Sequence, residues 1–350
     1  MQSILAVTVP FFALVLCGYL ATRQRLLPEA AIPGLNAYVL FFALPCLLFK
    51  FGSSMPFSKL IDPTLMAIYA VCAMVMVFVT ISATLKSDDD RFGIDLKNSA
   101  FGALVAAFPN TGFMGVPLLV ALLGDAAAGP VVSTVLIDLI LTSTFCIALA
   151  QSQTQTQVQV QVQVQVQVQV QKNFSPSESK PSSMLSSALR SLRGALTNPL
   201  PWSIALGALV AAAQVQLPGP LHQVIQMLAD SASPVALFTI GAVLSRAAQA
   251  SQATGLKTPV AQYLPVALLK LFVHPLLVLS AGVIAKALGA PVSAFGLTVL
   301  VLAAALPSAS NVSLLAERYG ADNGRITRII MASTVMAFVS FSLLAWVLVR

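Results

Sequence analysis

The chain has very little charge. Of its 350 residues only 9% are Asp, Glu, Lys or Arg, while 57% are apolar and the mean hydropathy is +0.88. Soluble domains carry about 25% charged residues, so this composition excludes a soluble globular protein of comparable length. Histidine is rarer still, with two residues and no His-Glu-x-x-His, and a lone histidine without an acidic neighbour in sequence is no metal site. The four cysteines, Cys17, Cys46, Cys72 and Cys146, all fall within apolar runs. They read as small packing residues, which excludes a disulfide framework. Marks of intramembrane hydrolysis are missing too. Leu122-Leu123-Gly124-Asp125 lacks the first glycine of a Gly-x-Gly-Asp pattern, and no Gly-x-Ser-Gly occurs. The expectation is a membrane protein that is not an enzyme and needs no cofactor.

Long apolar runs are what the chain has in abundance. A helix needs roughly 20 apolar residues to cross the hydrocarbon core. Candidate spans lie near Ile4 to Ala21, Ile32 to Phe49, Thr64 to Leu85, Ser99 to Leu123, Pro130 to Ala150, Pro199 to Gln214, Leu221 to Leu244, Val260 to Leu288, Val292 to Ala316 and Ile326 to Val349. The first has no basic flank before it, and Tyr19 stands where a cleavage site after Ala21 would want a small residue. It therefore reads as a spanning helix and not as a removable signal.

Lysine and arginine set the expected orientation. With an external N-terminus, the inner loops would hold Arg23, Arg25, Lys86, Arg91, Lys97, Lys172, Lys180, Arg190, Arg193, Arg246, Lys257, Arg318, Arg325 and Arg328, which is 14 of the 19 basic residues. The outer segments would hold Lys50, Lys59, Lys286 and Arg350, and Lys270 falls inside a span. The positive-inside rule then makes both termini external and the central loop cytoplasmic. This asymmetry accounts for the net charge of +7 and leaves nothing for nucleic acid to explain.

The organisation is five spans over residues 1–150, a polar loop over 151–197, and five spans over 198–350. An odd number of spans per half inverts one half relative to the other. Internal echoes agree: Pro45-Cys46-Leu47-Leu48-Phe49 matches Pro234-Val235-Ala236-Leu237-Phe238. The fourth and ninth spans each run from Ala-x-Pro to a Leu-Leu pair and then to Gly124 or Gly320. Within the loop, Gln153 to Gln171 alternates glutamine with threonine or valine. Such alternation would suit an amphipathic strand, but the plainer reading is a simple repeat expanded where insertion is tolerated, followed by a flexible linker.

The fourth and ninth spans are broken near their middles, at Ala107-Phe108-Pro109-Asn110-Thr111-Gly112 and at Ala305-Leu306-Pro307-Ser308-Ala309-Ser310-Asn311. A proline inside a helix removes a donor and clashes with the preceding turn, and lipid cannot satisfy the freed carbonyls. The breaks must therefore face protein or water. Paired breaks in two inverted halves point to a transporter with its substrate site near the bilayer midplane. A non-transporting receptor or structural membrane protein is the competing expectation.

The stretch Pro109-Asn110-Thr111-Gly112-Phe113-Met114-Gly115-Val116-Pro117-Leu118-Leu119 resembles the Pro-Asn-Thr-x-x-Met-Gly-hydrophobic-Pro-Leu-Leu motif of the auxin efflux carrier family, which includes plant PIN carriers and bacterial malonate-type permeases. Ala305-Leu306-Pro307, Ala316-Glu317-Arg318-Tyr319 and Lys270-Leu271-Phe272-Val273-His274-Pro275 extend the likeness, while the glutamine-valine tract departs from it. The resemblance implies an all-α fold of ten transmembrane helices, two inverted five-helix repeats with crossing helices 4 and 9, of the sodium/proton antiporter and bile acid symporter type. It implies a dimerising scaffold of spans 1, 2, 6 and 7 and a moving bundle of the remaining six. It also implies transport of small organic anions, auxin-like weak acids or dicarboxylates such as malonate.

On this reading the substrate-binding candidates are Pro109, Asn110, Thr111, Gly112, Pro307 and Asn311. The asparagines can either donate to a carboxylate or satisfy backbone groups beside the prolines. Gly112 and Gly115 suit close backbone approach or plain helix packing, and Pro45 and Pro234 suit kinks. Four ionisable groups, Asp138, Asp230, Lys270 and His274, lie at membrane depth, where an aspartate or lysine costs roughly 2.5 to 3.5 kcal/mol. Asp230 could reach a wet vestibule, and His274 could bond a nearby carbonyl or serve a proton-linked role. Asp138 and Lys270 fall at similar depth, roughly 12 Å and 15 Å into their spans at about 1.5 Å per residue. That suggests a charge pair, with a lysine that neutralises the substrate as the alternative.

The topology has a direct test. A cysteine placed within Gln153 to Gln171, in a background without the four native cysteines, is expected to resist an impermeant thiol reagent in intact cells; ready labelling reverses the orientation.

Overall fold

The computed structural model describes residues 2–54, 61–85, 94–152, 199–253 and 258–349. The glutamine-valine tract and Lys59, Lys86, Arg91, Lys172, Lys180, Arg190, Arg193, Lys257 and Arg350 lie outside the described residues. Each of the ten apolar runs carries helix. In order these are α1 (Gln2–Arg23); α2 (Ala31–Tyr38) and α3 (Leu44–Ser54); α4 (Pro63–Thr84); α5 (Leu96–Ala107) and α6 (Val116–Leu123); α7 (Ala128–Ile137) and α8 (143–152); α9 (Pro199–Ala212); α10 (Gly219–Ala253); α11 (Val260–Leu268) and α12 (His274–Ala287); α13 (Ala294–Ala304) and α14 (Asn311–Arg318); and α15 (Asn323–Leu348). Among the described residues seven helices are long and apolar enough to cross a membrane, and Thr111–Leu123, Pro199–Ala212 and Ala294–Ala304 are shorter apolar helices. No sheet forms among them; two isolated bridges join Leu85 to Ile94 and Pro109 to Ser308.

Four helices contain a single wide turn, at Val39–Ala43, Thr111–Gly115, Asp138–Thr142 and Leu269–Val273. In three of them the N–H that closes the turn belongs to the residue just before a proline. Leu44 bonds to the Val39 carbonyl ahead of Pro45, Val116 to Thr111 ahead of Pro117, and His274 to Leu269 ahead of Pro275. An interior proline ring strikes the carbonyl four residues back, and one extra residue in the turn swings that carbonyl aside. The kink expected at Pro45 thus takes the form of a wide turn. Pro234 sits inside α10 with no such break.

Helices α1, α3, α9 and α10 pack as two crossed pairs, α1 on α10 and α9 on α3, with α3 also touching α10. Glycines set both crossings. A β-carbon on Gly241 would fall 1.9 Å from the Val15 carbonyl oxygen, and one on Gly18 would fall 1.9 Å from that of Phe238. In the other pair, a β-carbon on Gly207 would meet the Phe49 oxygen at 2.4 Å, and one on Gly52 the Ile204 oxygen at 2.6 Å. Small residues at membrane helix crossings let backbones touch in this way. Helix α2 joins these crossed pairs through α10, and a second packed group has α4 against α5 and α12, α13 against α12 and α7, and α15 against α11 and α14.

Glycine also ends the second pieces of the broken helices. Gly124 (φ 85°) caps α6. Gly320 (φ 64°) follows α14, where the Ala321 N–H bonds the Ala316 carbonyl at 2.8 Å and the Gly320 N–H that of Glu317 at 3.1 Å. This paired closure needs a residue with positive φ. The two glycines matched in the sequence therefore share one job.

Gly241→Ala is expected to disrupt assembly, read as loss of monodisperse protein in detergent. A β-carbon on Gly34 in α2 meets nothing within 4 Å, so Gly34→Ala is expected to raise thermal stability by about 0.5 kcal/mol or more.

Candidate functional site

The two breaks meet. Phe108 and Pro109 leave the helix after α5, Ala305 to Ser310 leave it after α13, and the segments pair antiparallel. The Asn110 N–H donates to the Pro307 carbonyl at 2.8 Å, and the Ala309 N–H to the Phe108 carbonyl at 3.0 Å. Each bond takes up a polar group that lipid would leave unpaired at a cost of several kcal/mol. The Asn110 carbonyl accepts from Met114 and Gly115 at 3.0 and 2.9 Å, and the Thr111 N–H bonds the Pro109 carbonyl at 2.8 Å. From α15, the Ser333 hydroxyl accepts the Ser308 N–H at 3.2 Å.

All six residues expected to bind substrate therefore lie at or beside this crossing. Asn110 and Thr111 are buried, and the Asn110 side chain caps no helix N–H. Asn311 opens α14. Its Oδ1 and the Ser308 Oγ are both buried without a hydrogen-bond partner. Such groups are costly unless something pairs with them. The wide turn at Thr111 and helix α14 both start here; of their first-turn N–H groups, those of Thr111, Val312 and Ser313 bond the nearby Pro109, Ala309 and Ser310 carbonyls. Their positive ends converge on the crossing, while α5 and α13 bring carbonyl ends to it.

The carbonyl end of α13 is tied by Lys270, whose Nζ donates to the Ala304 oxygen at 2.5 Å. The ammonium also lies 3.2 Å from His274 Nδ1. A charged lysine would donate to Nδ1; the His274 Nε2 is buried and has no partner. The carbonyl bond, one of the two readings for His274, is not made, and Nδ1 contacts Lys270 instead.

Asp138 has different partners. It opens its wide turn, accepts the Tyr69 hydroxyl at 2.8 Å and the Thr142 hydroxyl at 3.2 Å, and its carbonyl accepts from Ser143 at 2.7 Å. Asp138, Lys270 and His274 are all 0% exposed. Lys270 and Asp138 form no salt bridge within 4.0 Å. They are linked instead through the tilted Tyr69 and His274 rings, 5.8 Å apart. Asp230 lies elsewhere, in a 3.1 Å salt bridge with Lys50 whose side chains are 60% and 39% exposed. A rim pair of this kind contributes about 0 to 1 kcal/mol.

Three contributors were not singled out from sequence. Tyr69 could have been, because a phenol in mid-span needs a polar partner. Ser333 offers no signal among the other small residues of α15. Arg325 counts as a solvated inner charge by sequence, yet it is 2% exposed, with Nε on the Gln262 carbonyl at 2.8 Å and Nη1 on that of Asn98 at 3.0 Å. It staples α15 to α11 and α5. Its guanidinium packs on Gly102, where a β-carbon would lie 2.9 Å from Nη1. A separate groove of about 560 Å³, lined by Val9, Phe12, Leu16, Leu244 and Phe338, is almost entirely apolar and has no cluster of polar groups like that at the crossing.

A family model described as "Membrane transport protein" matches residues 3–345. The chain is also similar to a protein of Rhizobium meliloti (strain 1021) described as "Putative malonate transporter", at 27% identity over 342 residues, covering 96% of this chain and 93% of the relative.

Tyr69→Phe removes the shortest bond to a buried carboxylate. It is expected to cost about 1 to 3 kcal/mol in thermal unfolding, and to be non-additive with Asp138→Asn. Additive losses show that the two residues do not act together.

Proposed function

Because this chain belongs to the membrane transport protein family, the auxin efflux carriers that its fourth apolar run resembles, we propose that it is a secondary transporter of small organic anions and binds them at the crossing of its two broken helices. The observation that carries this reading is the set of unpartnered polar groups at the hydrogen-bonded crossing, Ser308 Oγ and Asn311 Oδ1, beside two converging helix N-termini. A carboxylate is the ligand that N–H groups, amides and hydroxyls hold in common. The Asn311 amide presents either its oxygen or its NH₂ by a half-turn of the group, so the site offers it as a donor. Short dicarboxylates are the favoured class, in keeping with the description of the Rhizobium relative as a malonate transporter. Lys270 supplies the positive charge behind the site and Asp138 the buried counter-charge, with His274 between Lys270 and Tyr69.

The proposed architecture is ten helices in two inverted five-helix repeats. Several correspondences support it. Gly52 and Gly241 each lie seven residues after the proline of a matched pentapeptide, and Gly18 and Gly207 each lie eight residues after Pro10 and Pro199. Each half contributes two glycine-bearing helices to contacts with the other half, α1 and α3 from the first and α9 and α10 from the second. In this arrangement the crossed pairs form a scaffold that dimerises, the second packed group moves for alternating access, and both termini face outward from the cell membrane. Efflux is the proposed direction.

The test is counterflow in proteoliposomes across malonate, malate, succinate and indole-3-acetate, with at least one expected to exchange. Asn110→Ala and Asn311→Ala are each expected to lower uptake by roughly ten- to hundredfold, the equivalent of about 1.5 to 3 kcal/mol for a charge-assisted bond. Normal transport by both variants removes the crossing as the site.

A further inference from the structure

We infer that the apolar groove between α1, α10 and α15 holds one acyl chain of an anionic phospholipid, whose headgroup sits at the end marked by Arg23 and Arg328. The groove has a volume of about 560 Å³ and opens outward, since Leu16 and Val335 on its walls are more than half exposed. All three helices are long and apolar enough to cross a membrane, so the opening meets hydrocarbon. The Thr334 hydroxyl turns away to the Ile330 carbonyl at 2.7 Å, which leaves that wall apolar. An empty apolar space costs stability, and a lipid chain entering from the side fills this one. The groove also lies on a seam, with α1 and α10 from the crossed pairs on one side and α15 from the second packed group on the other.

Helix register places the headgroup end. Helices α1 and α15 run antiparallel: the Ser342 hydroxyl lies 3.4 Å from that of Thr8, and the Phe12 and Phe338 rings meet at 5.2 Å. Carried along the pair, this register sets Tyr19 level with Met331 and Arg23 level with Thr327, next to Arg328. Arg23 comes four residues after Tyr19 and Arg328 three before Met331, so each shares a helix face with a residue that lines the groove. Arg246 reaches the same end, because Leu27 and Ile32, which follow α1, pack on Ala242 and Val243. The three helices contain one acidic residue, Asp230, which lies well before Arg246 and pairs with Lys50. From Val9 to Tyr19 the groove runs about 15 Å at about 1.5 Å per residue, half of a hydrocarbon core roughly 30 Å thick. That is the reach of one chain from one leaflet. Tyr19 then stands at headgroup level, where tyrosine is favoured. Arginines with no acid beside them on these helices favour a headgroup of net negative charge over one that brings its own ammonium.

The occupant is tested on the full chain purified in detergent, by native mass spectrometry and thermal unfolding with added dioleoylphosphatidylglycerol or dioleoylphosphatidylcholine. One phosphatidylglycerol is expected to be retained about tenfold or more in preference to phosphatidylcholine, and to raise the unfolding midpoint further. Arg23→Gln combined with Arg328→Gln is expected to abolish the preference; Arg23→Gln alone, at an exposed helix end, carries the test if the pair does not fold. Ala13→Phe fills the groove from its open side. It is expected to lower retention of both lipids without lowering the lipid-free midpoint, and Lys286→Gln, on a helix outside the groove, to change nothing. Equal retention of the two lipids by the unaltered protein, or a preference that survives either the arginine or the Ala13 change, overturns the proposal. The readout is bound lipid and not uptake, so the outcome is independent of where the substrate binds.

Discussion

The structure depends on one constraint: a helix broken inside lipid must find partners for the backbone groups it frees. Two breaks that face each other solve it together. The Asn110 and Ala309 N–H groups take up the Pro307 and Phe108 carbonyls, so each break is the other's solvent. Everything near the crossing follows from holding those segments side by side. Ser333 accepts the Ser308 N–H, Lys270 takes the carbonyl end of α13, and the glycines at 124 and 320 end the short second pieces. Neither break could be removed alone without orphaning the other.

The same pairing leaves something over. Backbone needs are largely met at the bridge, yet Ser308 Oγ, Asn311 Oδ1 and His274 Nε2 stay buried and unpaired. Groups like these are retained where an intermittent ligand or an ordered water supplies the missing partner. The charged residues divide similarly. Lys270 and Asp138 each have their own neighbours, His274 and Tyr69, whose rings lie 5.8 Å apart. The arrangement holds both side chains in the interior without committing them to a single ion pair.

Much of this was legible in the sequence because the strongest signals are local. Prolines in apolar runs marked both breaks, and the matched motifs placed Asn110 and Asn311 beside them. Wide turns were not legible: the same residue type produces one at Pro45, Pro117 and Pro275 and none at Pro234 or Pro10, so packing around the ring decides. Charge was read least well. Asp230 sits exposed at the rim, in keeping with the wet-vestibule reading, whereas Arg325, counted as a solvated inner charge, is buried against Gly102. Burial depends on which helices arrive alongside, and a sequence does not carry that information residue by residue. Tyr69 shows the complementary failure, since the phenol needs a partner but its sequence does not say which helix provides it.

The glycine crossings bear on how the molecule is made. Gly18 meets its counterpart on a helix more than 200 residues later in the chain, and Gly52 meets one about 155 later. As a nascent chain enters the bilayer, α1 and α3 therefore arrive long before the helices that fill their grooves. The first half waits with its glycine notches unfilled until the second half arrives. Assembly order, and not the chemistry of the connecting segment, is what such a chain must preserve.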